Sequence, residues 1–495
     1  MTTAETSIAT DFEIVIGLEV HSQLLTKSKM FCSCSTDYAY AAPNTHVCPV
    51  CMGMPGVLPV INQAAVNYTI MTALALNCTI PAYSKFDRKN YPYPDLMKGY
   101  QISQYDIPLS KDGYLTIEHN GQIRRVGITR VHLEEDTARL LHRDGYSLID
   151  VNRSGTPLME IVSEPDMRSP LEARLYMQKL REILVYLGVS SGRMEEGSLR
   201  CDANISVRPR GEQKLGVKTE IKNMNSFRSV ERALAYEAQR QIDLLRAGQT
   251  ISQETRGWVE TKGITVPQRS KEQAHDYRYF PEPDLPPLLI DPAWVEELRA
   301  LLPELPDARR ARYMRDYGLS AQDANVLTED KALGDYFEQV VAASPTMDRN
   351  ARAKAASNLV LNDVARLLKA HAIAVQDNPL TPDAAANLLD LLDANRITGK
   401  QAKEIGEEAF MTGKMPESIV KEKGIQPPIS DEGQLERIIE EVISNNPKAA
   451  NDYRAGKVNA LQALIGQVMK QTRGQAKADS VRNLLMKKLD EAPPA

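Results

Sequence analysis

The segment Glu13-Ile-Val-Ile-Gly-Leu-Glu-Val-His21 carries two chemically capable side chains at a spacing that sets them side by side. Successive side chains of a strand point to opposite faces. Ile14, Ile16, Leu18 and Val20 then share an apolar face, and Glu19 and His21 project together from the other. That geometry suits two ligands of one metal ion. In Gly127–Asp136 the same alternation puts Val131 and Leu133 on one face and Arg130, His132 and Glu134 on the other. Glu135 takes the Val131 parity unless the strand ends or bulges there, so Glu134 is preferred to Glu135 as a site carboxylate. In Leu199–Val207 the polar set is Arg200, Asp202, Asn204 and Ser206; in Val217–Asn223 it is Lys218, Glu220 and Lys222. Glu160 shares a parity with Leu158.

Carboxylate oxygens suit Mg²⁺, which keeps waters and binds substrate phosphates as well. Lysine and arginine nearby would hold phosphate oxygens. Together these strands describe a phosphoryl-transfer surface. For any single strand, a solvated outer face of an antiparallel sheet is the simpler description. The strands taken together weaken that description, but spacing alone leaves the chemistry open. No GxxxxGK[ST], GxGxxG or HExxH pattern occurs, which argues against a P-loop, a dinucleotide fold and a zinc protease.

Four of the six cysteines cluster as Cys32-x-Cys34, thirteen residues, then Cys48-Pro-Val-Cys51. Two close pairs of thiolates match a tetrahedral Zn²⁺ site. A structural role is expected, because four cysteines leave no position for substrate. Cys78 and Cys201 stand in apolar or strand-like segments and read as small core residues.

Strands and helices must position these groups. Strand-like alternation marks Phe12–Val20, Tyr114–Glu118, Arg125–His132, Leu199–Val207 and Leu215–Lys222. Helical patterns occupy Ile61–Leu76, Pro170–Leu187 and Ser226–Ala247, with Ser226 as N-cap and Gly248 as stop. The prolines of Pro281–Pro292 prevent regular structure and suit a boundary. Beyond them the chain is helical. The expected division is an α+β domain over 1–293, a helical domain over 294–412 and a second over 413–495.

The 495 residues fit about two to four domains. At 42% hydrophobic and 25% charged, the chain can bury a sizeable core. No apolar run reaches the ~18 residues of a membrane span, and Met1–Asp11 lacks the features of a secretory signal, so a cytoplasmic protein is expected. The net charge of −5 means that any RNA contact must come from a local patch. One such patch lies in the tail. From Lys448 to Lys488 there are nine lysines and arginines against two aspartates, a local excess of seven positive charges.

The segments IGLEVHSQL, KMFCSC, PGVLPVIN, KFDRKNYPYPDLMKGYQISQYD, HLEEDTARL, DVNRSGTPLMEIVSEPD, MEEGSLRCDANISVRP, EIKNMNSF and DYRYFPEPDLPPL closely resemble the B-subunit family of tRNA-dependent amidotransferases. The resemblance runs from about residue 12 to the C-terminus. The archaeal E-subunit family shares much of the N-terminal pattern, but it carries a long inserted domain for which this chain has no room. The resemblance implies a glutamine-synthetase-like antiparallel sheet, the cradle, followed by two small all-α domains. It implies a ligase that uses ATP and Mg²⁺ to phosphorylate the side-chain carboxylate of misacylated Glu-tRNA(Gln), Asp-tRNA(Asn) or both, after which ammonia displaces phosphate. The implied partners are an amidase-type A subunit that makes the ammonia, a small C subunit completing a heterotrimer, and misacylated tRNA. The non-discriminating synthetase is a further candidate partner.

Carried onto this sequence, Glu19, His21, Glu134 or Glu135, and Glu160 are the Mg²⁺-site and catalytic residues that the resemblance implies. Arg200, Asp202, Asn204 and Lys222 are further candidates for phosphate or metal contact, and Lys85, Lys89 and Tyr91 for the wall of an ammonia channel. The segment GKVNALQALIGQVMKQTRGQA is similar to the family's tRNA-binding tail, which nominates Lys457, Lys470 and Arg473. Family members differ in the cysteine cluster, so a structural Zn²⁺ rests on the four cysteines themselves. Two other readings are a non-catalytic tRNA-binding scaffold subunit of the same complex and a free-standing ligase for small acids. The strand carboxylates count against the first, the basic tail against the second.

Overall fold

The computed structural model describes residues 11–119, 121–270, 277–343, 348–425, 427, 432–455, 457, 459–472, 476 and 478–491. The chain forms two compact units, Met1–Pro306 and Asp307–Ala495.

In the first unit the strands are β1 (Phe12–Gln23), β2 (Tyr83–Ser84), β3 (Asp87–Asn90), β4 (Tyr100–Ser103), β5 (Ser110–His119), β6 (Gln122–Glu135), β7 (Arg139–Arg143) and β8 (Tyr146–Asp150). They continue as β9 (Pro157–Ser163), β10 (Leu199–Pro209), β11 (Thr219–Met224), β12 (Glu254–Val259), β13 (Ile264–Ser270), β14 (Phe280–Pro281) and β15 (Leu288–Leu289). The helices are α1 (Gln63–Ala75), α2 (Pro170–Tyr186), α3 (Phe227–Arg246) and α4 (Pro292–Ala300).

One eight-stranded sheet, in the order β13-β12-β11-β10-β1-β9-β6-β5, is the frame of this unit. Its pairs are antiparallel except β11 with β12, which run parallel. The resemblance implies an antiparallel sheet throughout; the sheet is mixed. The cause is α3, which carries the chain across the sheet, so that β12 starts at the same end as β11. Ser226 caps α3 by accepting from the Ser229 amide, and Gly248 just beyond it has φ +70°.

The apolar alternation of β1 is buried as its spacing predicts: Ile14, Ile16, Leu18 and Val20 are all at most 3% exposed. They join Ile70 of α1, Leu180 of α2 and Leu234 of α3 in one core. Each such side chain contributes about 1.5–3 kcal/mol by leaving water. With the helices on that face, the other face of β1, β9, β6 and β10 is left for polar groups.

Two elements depart from the sequence expectation. The expected strand Leu215–Lys222 is shifted to Thr219–Met224, because pairing with β10 begins only at Ile205 and Thr219. The proline stretch is not wholly irregular. Phe280–Pro281 adds to β3, and Leu288–Leu289 pairs with β2, in ladders too short for any periodicity to reveal. Strands β14, β3 and β4 form a small sheet, and β4 packs against β6.

The second unit is helical: α5 (Pro306–Tyr317), α6 (Ala321–Glu329), α7 (Lys331–Ala343), α8 (Arg349–Asn358), α9 (Ala365–His371), α10 (Pro382–Asp393), α11 (Gly399–Thr412) and α12 (Pro416–Glu422). Then follow α13 (Glu432–Asn445), α14 (Pro447–Arg454), α15 (Asn459–Gln471) and α16 (Ala478–Glu491). One apolar cluster runs from Tyr313 to Val420 and a second from Leu435 to Leu489. Leu298 of α4 belongs to the first unit's core, and Ile419 and Val420 of α12 to the first helical cluster. Both helices thus stay with the core that precedes them, past the expected boundaries at 293 and 412. No helix of the described residues is long and apolar enough to cross a membrane.

Candidate active site and metal centres

Three neighbouring strands set one row of side chains. Glu160 of β9 lies opposite His21 of β1 on one side and His132 of β6 on the other. Glu134, two residues beyond His132, projects from the same face. His21 Nε2 lies 3.6 Å from Glu160 Oε2 and 3.9 Å from Glu134 Oε2. His132 Nε2 lies 3.3 Å from Glu160 and 3.4 Å from Glu134. Ser103 Oγ of β4 donates to Glu134 at 2.8 Å, and Arg130 approaches Glu160 at 3.9 Å.

Two buried carboxylates this close would ordinarily resist ionisation. Here burial opposes the charge on Glu160, but His132 and then His21 outweigh it and hold the group well below the usual carboxylate range. Glu134 is also lowered. Burial and Glu160 oppose this, and His132 and Lys89 prevail. Burial likewise works against charge on the two imidazoles, yet the carboxylates push both upward. The site therefore keeps its carboxylates ionised, the form that ligates cations.

A donor atom from each of His21, Glu134 and Glu160 lies within 4.8 Å of the others. Two hard carboxylates and one imidazole fit a divalent cation that keeps open positions for water and phosphate oxygens. His132 Nδ1 is buried without a hydrogen-bond partner, so His132 meets the cluster through Nε2 alone.

Two expected members take other partners. Glu19 faces Asp202 in the ladder and accepts from Asn204 Nδ2 at 2.8 Å, one row away from the trio. Glu135 points to the opposite side of β6. It accepts from the Ile102 amide at 3.0 Å, pairs with Lys98, and lines a cavity of about 120 Å³ with Cys32 and Cys51. Strand β6 runs regularly through Glu135, so parity separates the two glutamates.

The remaining candidates lie toward β10 and β11. Arg200 pairs with Asp136 at 2.8 Å, and Lys222 bonds Asp202 and lies 3.7 Å from Glu220. Burial would lower the pKa of Lys222, but Asp202 and Glu220 overcome it and raise it. A bulge follows at this point. Cys201 pairs with Met224 and Ala203 with Ile221, so Lys222 and Asn223 together oppose Asp202. Asn223 takes φ +65°, the left-handed conformation such an extra residue often needs. Arg200, Asp202 and Lys222 line a cavity of about 610 Å³ with Arg139 and Arg153.

The four clustered cysteines converge, every Sγ within 4.8 Å of the others. Cys48 and Cys51 are 3.9 Å apart, against about 3.8 Å between ligands of a tetrahedral ion with 2.3 Å metal–sulfur bonds. A hydrogen bond from Cys32, with the Cys48 amide and the Lys29 charge behind it, brings the Cys51 thiol down to about 4. The donor set fits a structural Zn²⁺. Cys78 and Cys201 are buried in the core.

In the tail, Lys457 is exposed and pairs with Asp452 at 2.9 Å, and Lys470 is exposed in the last turn of α15. Arg473 lies outside the described residues. Lys488 of α16 meets Glu436 and Glu440 of α13, so acidic groups from another helix offset part of the basic excess.

His132 shares the polar face with Glu134 in the sequence pattern, yet nothing in the pattern singles it out as a site residue. Its signal is the register that puts it opposite Glu160. Lys89 of β3, a candidate wall residue from the sequence, has its pKa raised: burial opposes its charge, and the charges of Glu134 and Glu160 outweigh burial. Its ammonium lies 4.9 Å over the Tyr277 ring.

Residues 14–296 match the GatB/GatE catalytic domain family, and residues 335–489 the GatB domain family. The chain is 55% identical over 484 residues to the B subunit of the aspartyl/glutamyl-tRNA(Asn/Gln) amidotransferase of Carboxydothermus hydrogenoformans, covering 97% of this chain and 99% of that one. It is 56% identical over 483 residues to the protein of the same name from Moorella thermoacetica, covering 97% and 100%. Family matches along most of its length, and relatives this similar from end to end, mean that the chain belongs to the B-subunit family of aspartyl/glutamyl-tRNA amidotransferases.

Proposed function

We propose that this chain holds the site at which a tRNA-bound glutamate or aspartate is activated and converted to its amide. The observation that carries the reading is the row His21–Glu160–His132, with Glu134 beside it, on the polar face of the large sheet. The name that the relatives share supports the substrate, an aspartyl- or glutamyl-tRNA, and the setting, a complex with other subunits.

A carboxylate is a poor acyl donor because an oxide-like oxygen would have to leave. Transfer of the γ-phosphoryl group of ATP to a carboxylate oxygen breaks the bond to ADP and makes an acyl phosphate. Ammonia then attacks the acyl carbon. The new C–N bond forms, the C–O bond to phosphate breaks, phosphate departs, and the nitrogen gives up a proton. Mg²⁺ at His21, Glu134 and Glu160 would offset charge on the transferring group. Lys222 and Arg200, each held in place by an acidic partner, present cations on the same face for phosphate oxygens. Their pairing orients them before substrate arrives.

The mixed sheet with its polar face supports the glutamine-synthetase-like cradle. The thiol cluster supports a structural Zn²⁺ in that domain. The cradle, a helical domain and a tRNA-binding tail bearing Lys457 and Lys470 are the three working parts of the chain. An amidase-type A subunit supplies ammonia, a small C subunit completes the assembly, and the cytoplasm is the compartment.

The test is amidation by the assembled complex with misacylated tRNA, ATP, Mg²⁺ and ammonium in place of glutamine, for wild type and Glu160→Gln. Ammonium bypasses the glutaminase and isolates this site. Wild type is expected to form amidated tRNA. The variant is expected to lose at least about a hundredfold in rate, the scale of a misplaced reacting group. Equal rates would remove Glu160 from the site.

A further inference from the structure

Beside the carboxylate row stands a group of tyrosines that the reaction above does not use. Tyr105 and Tyr279 stack face to face, with ring centroids 4.3 Å apart and planes 7° from parallel. Tyr277 meets Tyr279 edge-on at 6.1 Å and Tyr91 at 5.8 Å. Lys89 ties the group to the site: its ladder partner Gln101 donates from Nε2 to Glu134 at 3.3 Å, and its own ammonium lies over the Tyr277 and Tyr91 rings. Tyr105 keeps 44% of its surface exposed even with Tyr279 stacked on it.

The backbone that delivers these rings is strained. Arg278, between Tyr277 and Tyr279, has φ +45°, which costs a residue with a Cβ. Asn90 Nδ2 of β3 donates to its carbonyl at 2.9 Å and holds it there. Strain kept in place by a specific hydrogen bond is characteristic of ligand-binding segments. Flat aromatic faces of this kind accept nucleobases by stacking, and adjacent cations strengthen the contact.

We propose that Tyr105 and Tyr279, braced by Tyr277 and Arg278, form a stacking platform for an adenine ring next to the carboxylate site. The inference rests on the proposed reaction, which brings two adenines to this unit: the base of ATP and the terminal base of tRNA. Both present the same π-face, and the experiment separates them.

The experiment uses the assembled complex with Tyr105→Leu and Tyr279→Leu, which keep apolar bulk and lose the ring, and with Tyr105→Phe, which keeps it. Binding of a non-hydrolysable ATP analogue and of misacylated tRNA is measured directly, and KM for each is measured with ammonium as nitrogen donor. One ligand is expected to bind about tenfold more weakly to the leucine variants, the other to stay within about twofold, and phenylalanine to restore binding. A change confined to the analogue assigns the platform to ATP; one confined to tRNA assigns it to the terminal base. No change in either, or an equal loss of both, overturns the proposal. Binding needs no turnover, so a complex that binds both ligands but forms no amide would count against the proposed reaction and not against the platform.

Discussion

Glu134 and Glu135 are consecutive, yet they face two centres built on opposite plans. Glu135 lines the cavity beside the cysteines, and Glu134 joins His21 and Glu160. The cysteine centre is local: its donors fall between Cys32 and Cys51, and four soft thiols would close a tetrahedral coordination. The carboxylate centre draws on β1, β6 and β9, and its three donors leave positions open. A closed centre stabilises a loop, while an open one can admit a substrate. On the proposed reading, the difference between these neighbouring glutamates is one between holding structure and doing chemistry.

Neutralising each glutamate in turn tests the two roles most directly. Glu134→Gln is expected to lower amidation by at least about a hundredfold, with little change in melting temperature. Glu135→Gln is expected to keep activity within about tenfold. It should lose roughly 1–3 kcal/mol of stability by denaturant titration, as the half-buried Lys98 and the Ile102 amide lose a charged partner. If Glu135→Gln is the inactive variant, the two centres have been assigned the wrong way round.

The cysteine centre gives a second test, through its proposed zinc. Metal analysis should find about one zinc per chain. Cys51→Ser should lose it and unfold about 6–12 °C lower, the equivalent of roughly 3 kcal/mol in a large domain. The protein that remains folded should still amidate. A metal-free wild type with an unchanged melting temperature would remove the structural role.

The legibility of the two centres followed their plans. Two cysteine pairs can be recognised from spacing because a loop brings them together whatever the sheet does. The faces of β1 were also readable, because the alternation of Ile14 to Val20 is a local property. Register is not local. Nothing in the spacing of His132 says that Glu160 will lie opposite it, or that Glu19 will turn to Asn204. The ladders at Phe280 and Leu288 were hidden for a related reason. Two residues of strand carry no period, and their prolines argue against pairing until a partner edge is known.

The smallest expected effect concerns the bulge. Asn223→Gly should leave stability within about 0.5 kcal/mol, since glycine accepts the left-handed conformation without penalty. Asn223→Val should cost about 1–2 kcal/mol, measured by denaturant titration. An equal cost for glycine would mean that the Asn223 side chain, not its backbone, is what the position needs.

The extra residue also makes β11 a strand read in two frames. Before the bulge Glu220 faces Asn204, and after it Met224 returns to the core beside Cys201. Deleting one residue before the bulge, such as Glu220, would set Thr219 opposite Asn204 and turn its side chain from the buried face to the polar one. An insertion of one residue in the Gly211–Gly216 turn, by contrast, would leave both frames intact. Along one short segment, then, tolerance to a change in length differs sharply, and a natural or engineered indel would reveal the boundary.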